Sequence, residues 1–131
     1  MRFTSFLGFL FFVSLLTVFA QDGQIDSSFG VNGRHLYSSS FVGGGATSVA
    51  VLSDGSIVYN IFSSTNFPVY CIKIKSSGFL DSSFGNNGTV MLNTPNIRSC
   101  RLAKQSDDKI IISYTAGTAV VITRLLTNGK I

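Results

Sequence analysis

The chain has 131 residues, 45% of them hydrophobic and only 12% charged, with a formal net charge of +4. That length allows one domain of ordinary size, and the supply of branched and aromatic residues excludes a disordered chain. The basic residues are scattered among Ser, Gly and apolar positions, with no Lys/Arg cluster and no aromatic-interleaved stripe, so nucleic acid is not expected as a partner.

Residues 1–20, MRFTSFLGFLFFVSLLTVFA, open with Arg2, continue as an apolar run and close on Val18, Phe19 and Ala20. A basic start, an apolar middle and small residues at the two sites a signal peptidase reads make a secretory signal peptide, expected as a helix, with cleavage between Ala20 and Gln21. The apolar run over 6–20 is shorter than the ~20 residues a spanning helix needs, so the mature chain is expected to be extracellular and free of the membrane.

Beyond residue 20, Val, Ile, Phe, Tyr and Thr dominate the apolar stretches, while Glu is absent and Ala, Gln and Met are scarce. This is strand composition. A short outer strand is expected over 34–37. FVGGGATS (41–48) follows; it has no Lys, and no helix is expected after it, so it reads as a flexible connector and not a phosphate loop. Strands are then predicted over 46–52 and 56–62, joined by Ser53-Asp54-Gly55-Ser56, because Asp-Gly between apolar runs is a strong hairpin signal. Alternation of Tyr70, Ile72 and Ile74 with Cys71, Lys73 and Lys75 predicts a third strand over 67–75. A fourth covers 88–92. Three more follow at 98–105, 109–115 and 119–126, with Asp107-Asp108 in place of Asp-Gly. Asp108 would then occupy a left-handed position at a cost of about 1 kcal/mol relative to Gly, which weakens the prediction of this hairpin.

Those elements repeat. GQIDSSFGVNG (23–33) lies over GFLDSSFGNNG (78–88), VAVLSDGSIVYN (49–60) over LAKQSDDKIIIS (102–113), and VYCIKIKSSG (69–78) over VVITRLLTNG (120–129). The offset shrinks from 55 to 53 to 51, so the second copy carries two short deletions, both between apolar segments where loops absorb length change. A period in the fifties with strand composition predicts one sheet per repeat, in two units of about 23–77 and 78–131.

Each residue of the repeated loop has a structural use. Asp81 can accept from the N–H groups of Ser82, Ser83 or Phe84 as an Asx turn. Phe84 is expected to plug the gap between neighbouring sheets, and Gly85 and Gly88 permit left-handed backbone around Asn86-Asn87. Asp26, Phe29, Gly30 and Gly33 are the matching residues of the first copy. The rival use is a calcium loop, but each loop offers a single carboxylate where such loops supply several, so no metal or other cofactor is expected.

LDSSFGNNGTV, SDGSIVYN and IKIKSSG (or ITRLLTNG) together resemble the delta-60 repeat, whose pattern runs roughly G-x-L-D-x-S-F-G-x-x-G, D-G-K-I-x-V and a strand closing on a basic position, here Lys73 and Arg124. The resemblance covers nearly all of residues 23–131. It implies a β-propeller-like blade repeated in tandem in large, mostly secreted or surface proteins, and it carries no enzymatic residues. Propellers close with about 4 to 8 blades, so two units leave apolar faces and strand edges open. Two expectations follow: the chain is a fragment of a longer repeat protein, or it closes by self-association through its open edges.

The remaining candidates are sparse. His35 is the one histidine and has neither a second His nor a Glu to work with, so it is expected on an exposed short strand and not in a triad or metal site. Cys71 and Cys100 are expected as separate buried thiols, with a disulfide as the alternative, since a third strand and the next unit's first strand lie at different depths. Asn87-Gly88-Thr89 is an N-glycosylation sequon on an expected surface loop. Asp22, Asp26, Asp54, Asp81, Asp107 and Asp108 are the only carboxylates, and most fall in turns that already explain them. The expectation is a secreted all-β repeat module that binds or supports an unknown ligand and catalyses nothing. The alternatives are a propeller-fold hydrolase or lyase with its catalytic residues in further blades, and a non-functional truncated paralogue.

Overall fold

The computed structural model describes residues 23–38, 45–62, 68–94 and 96–131. The expected signal peptide, its Ala20–Gln21 cleavage site, Asp22 and the first half of the FVGGGATS connector lie outside these residues. Among these residues seven strands form: β1 (Gly45–Val51), β2 (Ile57–Phe62), β3 (Val69–Ile74), β4 (Thr89–Leu92), β5 (Ile97–Lys104), β6 (Ile110–Ala116) and β7 (Ala119–Leu125). They make two antiparallel meanders, β1-β2-β3-β4 and β5-β6-β7, which do not close on each other. The protein is all-β, and none of the described residues is helical.

Both hairpins predicted from the acidic turns are present. Gly55 takes φ 78° in the first and Asp108 φ 60° in the second, so Asp108 does accept the left-handed position. The two first strands share a further detail: each breaks register at its start, between Ala46 and Ser48 in β1 and between Ile97 and Ser99 in β5.

One expected strand is missing. Residues 34–37 make no ladder, and only Arg34 forms isolated bridges, to Gly30 and Val31. A strand exists through its partner edge, and among the described residues no sheet offers one to this segment.

The period-two alternation of a strand sends successive side chains to opposite faces. In the first sheet one face carries Val58, Val69, Cys71, Val90 and Leu92, all buried; it packs on Ile110, Ile112, Tyr114 and Leu125 of the second sheet in one apolar cluster. Each such side chain stabilises the stack by about 1.5–3 kcal/mol. Asn60, completely buried in the same layer, has its amide fully satisfied. Its Nδ2 donates to Thr47 Oγ1 and to Cys100 Sγ, both at 2.8 Å, while Ser48 Oγ donates to its Oδ1. A single amide therefore ties β1 and β2 to β5 and sets the register between the sheets.

Candidate functional site

The turn chemistry gathers at one end of the sheets. The 53–56 hairpin turn meets the 76–78 turn, where Gly55 approaches Ser76, and the repeated loop 81–88 lies beside both. The 105–109 hairpin reaches across to the first sheet: Asp108 accepts from Ser53 N at 3.1 Å and also from Ser53 Oγ and Lys104 Nζ. The substitution that made this turn improbable from sequence thus carries an inter-sheet contact that a glycine cannot make.

The repeated loops do the same job twice. Gly30 N donates to Ser77 O at 2.8 Å, and Gly85 N donates to Asn128 O at 2.8 Å. Each loop is thereby bolted onto the turn that follows the third strand of the next sheet. The residue after each acceptor is a glycine, Gly78 at φ 83° and Gly129 at φ 84°. A Cβ on Gly78 would stand 2.5 Å from Gly30 N, and one on Gly129 would stand 2.8 Å from Gly85 N. The closing glycine of the motif is therefore fixed by close approach as well as by dihedral angle.

Within the loops, the Asx turn selects the residue two places on. Asp26 accepts from the N–H and hydroxyl of Ser28, Asp54 from those of Ser56, and Asp81 from those of Ser83. The serine hydroxyl is the chief cause holding each of these three carboxyls below the usual Asp value. Lys109 does the same for Asp107. For Asp108, partial burial pushes up, but the bonds from Ser53 and Lys104 outweigh it and leave the carboxyl low. A carboxylate stabilised in this way is a weak base, and in each of the three Asx turns one carboxylate oxygen, Oδ1, accepts both bonds from its own loop. Among the described residues no three Asp, His or Cys converge to hold a metal ion.

Phe84 is fully buried in the cluster between the sheets, in the place expected for it, whereas Phe29, its counterpart, is only half-buried. Lys73 is buried and salt-bridges Asp81 at 3.2 Å, with Asp54 at 3.9 Å. Nothing in the sequence marked Lys73 as an internal cation, since alternation alone leaves its face undecided. Asn87 is exposed, at φ 50°, with the sequon hydroxyl of Thr89 two residues on.

His35 departs from expectation: it is half-buried and lies in no strand. Its Nδ1 lies 2.9 Å from Gly78 O and must donate, since a carbonyl only accepts; its Nε2 lies 2.9 Å from Tyr59 Oη, and the rings meet edge to face. Burial, with Tyr37 nearby, pushes the Tyr59 phenol up to about 12, which keeps it a hydrogen-bond donor. A groove of about 250 Å³ opens beside this pair, lined by Val31, Arg34, Leu36, Phe79 and Leu80 among others. It holds no carboxylate and no free nucleophile. Cys71 and Cys100 are both buried, unpaired thiols. Burial pushes Cys71 up to about 12 and raises Cys100 as well, which makes poor nucleophiles of both.

Among the described residues no helix is long and apolar enough to cross a membrane. Comparisons with protein-family models, with curated proteins and with solved structures each returned no match.

Proposed function

We propose that the chain is a secreted repeat module of the delta-60 kind, built from β-propeller-type blades, with a binding or structural role and no catalytic one. The observation that supports it best is the twice-built joint, Gly30 onto Ser77 and Gly85 onto Asn128 at the same 2.8 Å distance. The motif residues a catalytic reading would recruit are consumed by that joint. Asp26 and Asp81 fold their own loops, the glycines allow two backbones to touch, and the phenylalanines fill the space beneath. What stays free for a ligand is the variable surface around the loops, including the groove beside His35. The first 20 residues act as the export signal.

The test is to express the full chain with its own first residues in a eukaryotic secretory host and weigh the protein recovered from the medium. The product is expected to begin at Gln21. Retention in the membrane fraction with residues 1–20 still attached would remove the secreted part of this reading. Gly78→Ala and Gly129→Ala, made separately, probe the repeat itself. Both are expected to lower thermal stability, each through its own joint, and a neutral result at both positions would end the claim that the loops are repeat joints.

A further inference from the structure

We infer that this chain binds a second copy of itself head to tail, residues 23–38 of one copy completing the β5–β7 sheet of the other. The inference rests on the repeat reading and goes beyond it by naming the surface, the register and the partner. Its basis is what the repeat relation does at corresponding positions of the two sheets. Val69 and Cys71 of β3 are completely buried, and their counterparts on β7, Val120 and Ile122, are 73% and 68% exposed. Lys73 is buried and paired with Asp81, while its counterpart Arg124 is exposed and has no carboxylate partner among the described residues. The second sheet thus keeps, facing outward, the same surface that in the first sheet is covered by a neighbour. A fourth strand is also absent from the edge of β7, among the described residues.

The missing parts exist elsewhere in the same chain. Residues 23–38 are the repeat counterpart of 78–93, the loop and fourth strand that complete the first sheet. They have formed the loop and its joint to Ser77, but the strand segment has no ladder, and Phe29 is only half-buried where Phe84 is wholly buried. In the first sheet β4 lies on β3 with Val69 opposite Leu92, Tyr70 opposite Met91, Cys71 opposite Val90 and Ile72 opposite Thr89. Transposed by the repeat, Tyr37, Leu36, His35 and Arg34 of one copy lie opposite Val120, Val121, Ile122 and Thr123 of the other. The same transposition brings Asp26 to Arg124 as Asp81 is brought to Lys73, so the charges are complementary where the register requires it.

That register also places the sheet faces correctly. The joint of residues 30–35 with Gly78 and Tyr59 already holds this segment over the first sheet's second face. A partner's β5–β7 sheet added to residues 34–37 therefore comes to rest against that face, as the second sheet rests against the first within one chain. One contact covers the open face, fills the open edge and buries Phe29. Because the contact is heterologous, two copies close it reciprocally into a ring of four sheets, the smallest number with which propellers close.

Sedimentation of the purified full chain at micromolar concentration is expected to give twice the chain mass. Arg124→Glu sets two carboxylates against each other and is expected to weaken self-association at least tenfold; Asp26→Arg places two cations together with the same result; the double variant restores the pair. Leu36→Cys with Val121→Cys, read on a denaturing gel after mild oxidation, is expected to give covalent dimer, since directly opposite residues stand within disulfide reach. Circular dichroism separates a dissociated variant, which keeps its β signal, from an unfolded one. A monomer at every concentration overturns the inference, as does a dimer that ignores Arg124→Glu and escapes the cysteine pair. Neither result touches the repeat reading, which is tested within one chain by Gly78→Ala and Gly129→Ala.

Discussion

Lys73 is the position where the physical account of this fold is most exposed to refutation. Its side chain is 11% exposed and that of Asp81 13%, with 3.2 Å between the ammonium and the carboxylate. Removing one member of a fully buried pair costs about 3–5 kcal/mol, because the other charge stays in the apolar interior. Fully exposed pairs are worth about 0–1 kcal/mol. A pair this far from solvent, yet at the loop end of the sheets, falls between, and Lys73→Met is expected to cost about 2 kcal/mol by interpolation between those limits. In a domain of roughly 100 residues that is a drop of about 10 °C in the unfolding midpoint. The pH dependence supplies a second reading. The carboxyl of Asp81 is held low chiefly by the Ser83 hydroxyl, then by Lys73, against the opposing effect of burial. A depressed carboxyl contributes stability that is present above its unfolded value, near pH 4, and lost as pH falls through the folded value. Lys73→Met should therefore shrink the loss of stability on acidification without abolishing it, because Ser83 remains. Thermal unfolding followed by circular dichroism between pH 2 and 7 measures both effects. A variant as stable as the parent at pH 7, with an unchanged acid limb, would show that the pair does not hold the loop.

Three further outcomes are expected. Phe84→Ala should lower stability by about 3–5 kcal/mol in chemical denaturation, as deletion of a buried phenyl does, and Phe29→Ala by distinctly less in the isolated chain; equal losses would contradict the difference in burial. Asn60→Asp puts a carboxylate where an amide donates to Thr47 and Cys100, so the protein should be least stable at neutral pH and recover as the new carboxyl is protonated, which a pH series of unfolding midpoints detects. Neither Cys71 nor Cys100 should react with a thiol reagent at pH 7 until denaturant is added, in keeping with their burial and raised values; rapid labelling of the native chain would show that the sheets open.

The strands were readable because their signals are local. Alternating apolar residues between Asp-Gly or Gly-rich turns placed all seven to within a residue or two. The repeat offsets anticipated two sheets, and an apolar residue inside a polar loop anticipated the buried plug at Phe84. Failures came where the deciding partner is distant in sequence. The strand expected over 34–37 has the right composition, but a strand is a property of two edges. Asp108 was read as a defect of its own turn, because the Ser53 N–H that compensates it lies in the other repeat. His35 was assigned to the surface since neither Tyr59 nor the Gly78 carbonyl is near it along the chain. Asn60 and Lys73 looked like ordinary polar residues of alternating strands, and which face they occupy depends on which sheet covers which.

The same consideration explains why the motif is legible and the ligand is not. Several residues that recur between the copies build the loops and their joints: Asp26 and Asp81 in their turns, Gly78 and Gly129 at the close approaches, Phe29 and Phe84 beneath the loops. Repetition demands that these positions be alike, because each joint solves the same packing problem. A ligand would impose no such demand, so in the binding role proposed above its specificity would reside where the copies differ. Several such places lie at the loop end. Among them, Val31 stands where the second copy has Asn86, Arg34 where it has Thr89, and His35 where it has Val90. All three line the groove beside the Tyr59 hydroxyl. That groove also sits where a second copy is inferred to dock, so ligand binding and assembly would compete for a single surface or share it.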